Sequence, residues 1–356
     1  MNYQEQLEKF LEIVIKKQAS DLHISAGFPP ILRITQDLIY LKEEKKISSE
    51  DAQGLAFYLM GEKRKEKFLK EKEIDFACDY KNKTRFRANI YFAGGDISIA
   101  LRAIPEKIRT IEELNLPLVL NKLTEASQGL VLITGASSQG KSTTLAALVD
   151  RINHFRREHI ITIEDPIEYI FEDDKSLIDQ REVHNDTLSF DKALRSALRQ
   201  DPNVIMVGEM RDLETISTAL TAAETGHLVF ATLHTNSANQ TIHRIIDVFP
   251  AQHQDQIRAQ LSGSLLAVIS QRLIITNEKN IIPVCEIMFN NSAISNLIRE
   301  NKVHEIPAVI ETSRDEGMII LNSALNDLVK GGLIEEDTAL RYSFNLKDLK
   351  TRLKRI

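Results

Sequence analysis

The run of residues with the clearest chemical meaning is a glycine-rich loop that ends in lysine and serine. It matches the phosphate-loop pattern G-x-x-x-x-G-K-[ST] without a gap and reads Gly135-Ala136-Ser137-Ser138-Gln139-Gly140-Lys141-Ser142. Glycines let backbone N–H groups curl around a phosphate, and the N-terminus of a following helix adds its dipole. The loop therefore predicts a site for ATP, in which Lys141 reaches the β- and γ-phosphates and the Ser142 hydroxyl binds Mg²⁺.

Carboxylates follow two later apolar runs. Glu209 follows the apolar run 204–207, with one glycine between them. This is the Walker B pattern, in which the carboxylate acts on the metal or on a metal-bound water. Glu164 and Asp165 follow the run 160–163, at the edge where parallel sheets bind ligands. One of them is expected to orient or deprotonate the attacking water. Glu164 is the preferred candidate, because Asp165 also suits an N-cap of the next turn.

Two histidines, His227 and His234, flank the apolar run 228–231. A histidine at a strand end can hydrogen-bond a phosphate or relay the state of the nucleotide to a neighbour. It can equally be a satisfied core residue, and the sequence leaves both interpretations open. Zinc binding is not expected, because no third and fourth ligand are spaced nearby.

The elements that must position these side chains are predicted from apolar patterning. Short continuous apolar runs alternate with helical stretches, which indicates an α/β fold with a parallel sheet covered on both faces. The runs are 130–133, 160–163, 204–207 and 228–231. After Pro250 the chain is predicted to be mostly helical.

The region before the loop has a different pattern and predicts a small α+β domain. An amphipathic helix over 4–18 is followed by short strands, a helix capped by Ser48 or Ser49 that runs to about Lys72, and an antiparallel meander with turns at Asn82 and Gly94–Gly95. The strands are 22–25, 31–34, 38–41, 76–80, 84–92 and 97–104. We therefore predict a domain over 1–104, a linker over 105–117 and an ATPase domain over 118–356, mostly helical from about 251.

Composition narrows the classes of function. Of the 356 residues, 45 are Lys or Arg and 51 are Asp or Glu, and this net charge of −6 argues against a general nucleic-acid binder. The two cysteines, Cys78 and Cys285, exclude a cysteine-rich zinc module and fit a reducing, cytosolic setting with both thiols buried. The polar N-terminus predicts no signal peptide, and no apolar run reaches the ~18–20 residues that a membrane span needs. Any membrane role is therefore expected to be peripheral.

Several longer runs together resemble the secretion-superfamily ATPases of type II secretion and type IV pili. The resemblance extends over about 19–333 and includes the family's Asp box at 163–168 and His box at 220–234. The other runs are 19–23, 85–89, 180–184, 193–202, 208–212 and 247–250. The resemblance implies a homohexameric ring whose subunits have a PAS-like N-terminal domain and a RecA-like ATPase domain, with ATP and Mg²⁺ bound between them.

The resemblance also implies roles for particular residues. Thr143 joins the phosphate loop, and Glu209 joins Ser142 at the Mg²⁺. Arg87 and Arg102 of the N-terminal domain would reach the nucleotide, as an arginine finger does. Further candidates at the catalytic interface are His227, His234, Arg195, Arg199 and Arg211. Arg195 and Arg199 stand at i, i+4 and equally fit an exposed helix face.

Within this family the sequence is most similar to the retraction ATPases. Assembly ATPases usually carry a long extra N-terminal region and a tetracysteine zinc site, and neither is expected here. The segment 293–300 resembles the retraction motif AIRNLIRE, with Ser295 in place of arginine. An ordinary amphipathic helix is the alternative, since Ile294, Leu297 and Ile298 follow helical spacing.

The implied function is a cytoplasmic motor that powers pilus retraction and twitching motility at the inner membrane, next to the pilus base. Its implied partners are an inner-membrane platform protein and, as a further candidate, a paralogous retraction ATPase, with no nucleic acid. The alternatives are an accessory paralogue that binds ATP but hydrolyses it poorly, and an assembly or type II secretion ATPase. A RecA-like nucleic-acid translocase is disfavoured by the acidic balance.

Two departures from the family pattern bear on activity and local structure. Ser138 stands where the family loop, GPTGSGKST, has glycine, and a positive φ at that position would strain a serine. Weak ATP turnover therefore stays open. Thr35-Gln36-Asp37 replaces an Asp-Gly turn, which predicts a different hairpin turn.

Overall fold

The computed structural model describes residues 2–34, 37–81, 84–104 and 107–354. By its own contacts the chain forms two compact units. The first comprises Met1–Lys107 with Pro166–Ile170, and the second comprises Ile108–Asp165 with Phe171–Ile356. The predicted turns at Thr35-Gln36 and Asn82, and the first two residues of the predicted linker, lie outside the described residues.

The first unit is built from one antiparallel sheet and two helices. Its sheet has the order β3-β2-β1-β6-β5-β4. The amphipathic pattern of α1 buries Leu7, Phe10, Leu11 and Val14 in the same core as α2 and the sheet. The elements are α1 (Tyr3–Lys16), β1 (Asp21–Ser25), β2 (Ile31–Ile34), β3 (Asp37–Tyr40), α2 (Ser49–Glu71), β4 (Glu73–Tyr80), β5 (Thr84–Ala93) and β6 (Asp96–Ile104).

The start of α2 settles which serine caps it. Ser48 is the N-cap: the backbone N–H of Asp51 donates to its hydroxyl oxygen at 3.0 Å, and its own N–H donates to the Asp51 carboxylate at 3.4 Å. This reciprocal capping box satisfies two N–H groups that the helix start leaves without partners. Gly61, at φ 66°, interrupts the helix geometry without ending it.

The second unit is a mixed α/β structure around a mainly parallel sheet. Its strands are β7 (Gly129–Thr134), β8 (His159–Glu164), β9 (Leu177–Glu182), β10 (Val204–Val207), β11 (Leu228–Leu233), β12 (Leu265–Ile275) and β13 (Ile281–Phe289). Its helices are α3 (Lys141–Phe155), α4 (Phe190–Ala197), α5 (Leu213–Glu224), α6 (Ala238–Asp247), α7 (Gln254–Ser264), α8 (Ser292–Arg299), α9 (Ile306–Thr312), α10 (Leu321–Lys330), α11 (Glu336–Tyr342) and α12 (Leu346–Leu353).

Short 3₁₀ turns complete this unit, and they span Leu118–Thr124, Ala251–His253, Val303–Glu305 and Arg314–Glu316. Across the described part of the chain, no helix combines the length and the apolar character that crossing a bilayer requires.

The sheet of the second unit has the order β13-β12-β7-β11-β10-β8-β9. All its neighbouring strands pair in parallel except β13, which is antiparallel to β12. Strands β7, β10 and β11 are buried along their whole length, as continuous apolar runs between helices predict. The carboxyl ends of these parallel strands meet at one edge of the sheet, and the phosphate loop leaves β7 there.

The prediction that the chain is mostly helical after residue 251 is wrong in one respect. Helices α7 to α12 are present, but β12 and β13 return to the sheet, and β12 lies beside β7. The polar triplet Ser270-Gln271-Arg272 interrupts the apolar run and conceals the strand in the sequence. The edge strand β9 is also absent from the prediction, because its residues are mostly half-exposed and polar.

The two thiols differ in burial. Cys285 is buried, as expected, and this burial raises the pKa of its thiol to about 12. Cys78 is only partly buried, so the expectation of two fully buried cysteines is wrong for it. Burial, reinforced by the charge of Asp79, still raises the pKa of the Cys78 thiol to about 11. Both thiols are therefore protonated at neutral pH.

The capping box gives a stability prediction. Replacing Ser48 with alanine should lower the free energy of unfolding of the first unit by about 1 kcal/mol, because Asp51 N–H loses its acceptor. Ser49→Ala is the matched control and should change it by less than about 0.5 kcal/mol. Hydrogen exchange of the α2 amides in the full chain measures both, and equal effects of the two substitutions would contradict the assignment of the cap.

Candidate functional site

The phosphate loop joins the end of β7 to the start of α3, at the edge formed by the carboxyl ends of the strands. Its two motif glycines have positive φ angles, 148° at Gly135 and 77° at Gly140. A Cβ atom on Gly135 would lie 2.5 Å from the backbone oxygen of Gln271, and one on Gly140 would lie 2.9 Å from the Gln271 side-chain nitrogen. The positive φ angles favour glycine at both positions, and at Gly135 a Cβ atom would also clash with the backbone of β12.

The amino group of Lys141 lies inside this loop. Its Nζ donates to the carbonyl oxygen of Gly135 at 2.8 Å and to that of Ala136 at 2.9 Å. Lys141 is only 9% exposed, and a buried ammonium needs such acceptors. The loop therefore holds a positive charge at the N-terminus of α3, where the helix dipole also favours an anion.

The loop is fastened to β12 by glutamine side chains. Gln271 Nε2 donates to the carbonyl oxygen of Gln139 at 2.8 Å, and Gln271 Oε1 accepts from the hydroxyl of Thr144 at 2.7 Å. In return, the Oε1 of Gln139 accepts from the backbone N–H of Leu273 at 2.8 Å. Gln271 is 2% exposed. Gln271 is not among the predicted site residues, because its only signal in the sequence is a polar triplet inside an apolar run.

Ser138 is the departure from the family loop, and its φ is 62°. The condition under which a serine here would be strained, a positive φ, is therefore met. A left-handed conformation costs a residue with a Cβ atom about 1–2 kcal/mol relative to the right-handed one. The loop therefore holds a strained serine at its exposed tip.

Glu209 lies just beyond β10 between two basic side chains. Its Oε2 is 2.7 Å from Nη2 of Arg211, and its Oε1 is 3.0 Å from Nε2 of His234. Burial disfavours the charged carboxylate, but the hydrogen bond to Arg211 and the charge of His234 outweigh it and hold the pKa of Glu209 below its usual value. Glu209 is therefore a carboxylate at neutral pH.

Glu164 ends the neighbouring strand β8 and is 6% exposed. Its Oε1 accepts from the Thr162 hydroxyl at 2.8 Å and from Nε2 of Gln180 at 3.2 Å. Strands β8 and β10 pair in parallel, with Ile163 opposite Val207, so Glu164 and Glu209 lie at the same edge. Gly208 allows this approach, because a Cβ atom there would lie 3.1 Å from the backbone oxygen of Ile163. Asp165 is exposed.

The two candidate histidines lie at opposite ends of β11. His234 follows the carboxyl end and contacts Glu209. His227 precedes the amino end, where its Nδ1 lies 3.0 Å from the carbonyl oxygen of Ala222. The six residues of β11 separate the two by about 20 Å. Within one chain, therefore, His234 belongs to the phosphate-loop edge and His227 does not.

The candidate arginines fall into two groups. Within the second unit, Arg211 pairs with Glu209, whereas Arg195 at the end of α4 and Arg199 just beyond it are exposed. In the first unit, Nε of Arg102 pairs with Oδ1 of Asp21 at 2.9 Å. Arg87 lies 3.8 Å from the carboxylates of both Asp75 and Glu168. The expected contact of Arg87 and Arg102 with nucleotide stays a prediction.

The residues at the edge fit ATP with Mg²⁺ in their chemistry. The loop offers backbone N–H groups and the Lys141 ammonium to phosphates, and both of its motif glycines have positive φ angles. Ser142 and Thr143 supply hydroxyls in the first turn of α3, and Glu209 supplies a charged carboxylate. Hydroxyl and carboxylate oxygens are the hard ligands that Mg²⁺ prefers.

Comparisons with known proteins give a consistent result. The family model described as type II/IV secretion system protein matches residues 73–331. The chain is 46% identical over 333 residues to the type IV pilus retraction ATPase PilT of Pseudomonas aeruginosa, covering 94% of this chain and 96% of that one. It is 38% identical over 350 residues to the type IV pilus ATPase PilU of the same organism, covering 98% and 91%.

Among solved structures, the chain is similar to the pilus retraction motor PilT with bound ADP. The TM-score is 0.90 at 44% sequence identity, and the match covers 97% of this chain and 98% of that one. The similarity therefore extends over both units and is not confined to the phosphate-loop region.

The strained serine gives a prediction with a matched control. Ser138→Gly should raise the free energy of unfolding of the second unit by about 0.5–1 kcal/mol, because relief of the left-handed strain exceeds the extra entropy of the unfolded chain. Ser137→Gly should lower it by a similar amount, since Ser137 has no positive φ to relieve. Urea denaturation of both variants measures the difference. Shifts of the same sign would contradict the strain at Ser138.

Proposed function

This chain belongs to the family of type II/IV secretion system proteins, and on that basis we propose that it is the motor that retracts type IV pili. It is an ATPase of the PilT type, and its likeness to PilT extends over 94% of the chain. The observation that carries the proposal is the carboxyl edge of the second sheet, where the phosphate loop leaves β7 and the neighbouring strands β8 and β10 end at Glu164 and just before Glu209. Pilus retraction would produce twitching motility.

In the proposed reaction, the loop N–H groups and Lys141 bind the phosphates of ATP and stabilise the charge that develops on them. Glu164, held by Thr162 and Gln180, orients the attacking water and accepts its proton. Glu209 and Ser142 are proposed to hold Mg²⁺, which neutralises phosphate charge when bound. His234 keeps the Glu209 carboxylate charged and oriented.

The proposal extends to the assembly. We propose a homohexamer in which a PAS-like first unit and a RecA-like second unit enclose ATP. Arg87 and Arg102 then reach the nucleotide from the first unit. The exposed Arg195 and Arg199, together with His227, are proposed to act at contacts between subunits, since the phosphate-loop edge of their own chain does not include them.

Helix α8 is proposed to couple hydrolysis to retraction. Its apolar residues Ile294, Leu297 and Ile298 are buried, while Asn296 and Arg299 are exposed. Ser295, which replaces the motif arginine, turns inward and donates to the backbone oxygen of Ser262. The exposed side is therefore free for the proposed inner-membrane platform protein, which would place the motor at the cytoplasmic face of the inner membrane, at the pilus base.

A second candidate function is an accessory motor subunit that hydrolyses ATP slowly. One observation favours it: the strained Ser138 in the phosphate loop. In that case a paralogous retraction ATPase would be its partner. An assembly or secretion ATPase is less well supported, because the chain has only two cysteines and cannot form a tetracysteine zinc site.

Steady-state ATPase assays test the proposed chemistry. Lys141→Ala should raise KM for ATP and lower kcat by about 10²–10³-fold, because binding and charge stabilisation are both lost.

Glu209→Ala and Glu164→Gln should lower kcat by about 10²–10⁴-fold, and Glu164→Gln should leave ATP affinity unchanged. Asp165→Asn, beside Glu164, is the control with the smaller expected effect. Wild-type single-turnover rates in Glu164→Gln would remove it from the mechanism.

A motility assay tests the proposed role of α8. The double substitution Asn296→Ala with Arg299→Ala should leave kcat for ATP within about twofold of wild type, because both side chains are exposed and remote from the loop in sequence. The same variant should abolish twitching motility. Lys330→Ala, an exposed charge at the end of α10, is the control and should twitch normally. Normal twitching by the double variant would contradict the coupling role and would show that α8 has only a structural role.

A further inference from the structure

Strand β12 presents successive side chains to its two faces in turn. Gln271 and the backbone of Leu273 contact the phosphate loop. Ser270 and Arg272 point to the opposite face, because side chains alternate along a strand. Helix α6 packs against β12 and β13. Arg272 is half-buried and is not among the residues predicted for the site.

The guanidinium of Arg272 connects two separate segments. Its Nη1 donates to the carbonyl oxygen of Tyr342, at the end of α11, at 2.7 Å. Its Nη2 donates to the carbonyl oxygen of Asn236 at 3.3 Å. The carbon of the guanidinium lies 3.9 Å from the ring centroid of Phe344, in the connection between α11 and α12. A planar group with donors on two sides suits such a bridge, and a lysine could not replace it.

Asn236 belongs to the segment 234–237 between β11 and α6, and this segment together with the first residue of α6 is held at three points. His234 contacts Glu209 at 3.0 Å, Asn236 accepts from Arg272, and the backbone N–H of Ala238 donates to Oε1 of Glu286 at 2.9 Å. The buried carboxylate of Glu286 also receives a backbone hydrogen bond from Leu321, the first residue of α10. The segment that carries His234 is therefore attached to the C-terminal helices through both Arg272 and Glu286.

We propose that Arg272 is a positioning residue that links the C-terminal helices α11 and α12 to the His234 segment, and through His234 to Glu209. The inference rests on the proposed roles of His234 and Glu209 in ATP hydrolysis. Displacement of the connection between α11 and α12 moves the Tyr342 carbonyl and Phe344, and Arg272 transmits this movement to Asn236.

The first test separates kcat from KM. Arg272→Ala and Arg272→Lys should each lower kcat by about tenfold, because neither side chain can bridge Asn236, Tyr342 and Phe344. KM for ATP should stay within about twofold, since the loop contacts lie on the other face of β12. A rise in KM with unchanged kcat would overturn the proposal.

The second test is a double-mutant cycle with His234. In a His234→Ala background, Arg272→Ala should change kcat by less than about twofold, because the residue through which it acts is absent. A further tenfold loss in that background would show that Arg272 contributes to activity or folding independently of His234, and would contradict the link.

A substitution at Phe344 provides a third test, which does not depend on the folding of the Arg272 variants. Its ring is 61% exposed, so Phe344→Ala leaves no buried cavity, yet it removes the surface on which the guanidinium rests. We expect kcat to fall about threefold at constant KM, and this loss to vanish in the His234→Ala background. Leu346→Ala, 49% exposed at the start of α12, is the matched control and should behave as wild type. Equal effects of the two substitutions would overturn the proposal.

The failure of this inference is distinguishable from failure of the proposed function. If Glu209→Ala retains wild-type kcat, the proposed chemistry is wrong whatever Arg272 does. If Glu209→Ala is inactive and Arg272→Ala has wild-type kcat and KM, the chemistry stands and the link through Arg272 is wrong.

Discussion

The hydrogen bonds of β12 are the constraint on which the site depends most. On one face, Gln271 holds the carbonyl of Gln139 and the hydroxyl of Thr144, and the backbone of the same strand leaves no room for a Cβ atom at Gly135. On the other face, Arg272 holds the segment that follows β11. One strand therefore holds the phosphate loop on one face and, on the other face, the segment that follows His234. Because the loop already has its shape before phosphate arrives, binding does not cost the conformational entropy of ordering it.

The acidic side of the site depends on strand pairing instead. Because β8 and β10 are parallel neighbours, their final residues bring Glu164 and Glu209 to one edge, and Gly208 lets the two strand ends approach closely. Each carboxylate then has polar neighbours of its own: Thr162 and Gln180 for Glu164, and basic side chains for Glu209. Two carboxylates in different surroundings suit two different tasks, since each is held by its own hydrogen-bond partners.

Local sequence patterns predict much of the second unit and of its phosphate loop. The loop motif and the apolar strands β7, β8, β10 and β11 follow from short-range sequence, because each element carries its own signal. Strand β12 could not be predicted in this way, because its three polar residues bond to partners that are distant in sequence, such as Gln139, Thr134 and Tyr342.

The sequence was sufficient to predict that His234 lies at the phosphate-loop edge and His227 does not, because strand direction alone places His227 before β11 and His234 after it. The pairing of Arg102 with Asp21 was not, because it depends on β1 and β6 being neighbours across 81 residues of chain. The choice of Ser48 over Ser49 as the cap likewise needed atomic contacts.

The affinity of the Gln271→Met variant for ATP, measured by calorimetry, tests this account most directly. Methionine keeps the volume and removes both hydrogen bonds, so the dissociation constant should rise at least about fivefold, as buried partners left unpaired cost about 1–3 kcal/mol. Ser270→Ala, on the opposite face of β12, should bind ATP as wild type does. A folded Gln271→Met protein with wild-type affinity would contradict the claim that β12 shapes the phosphate loop.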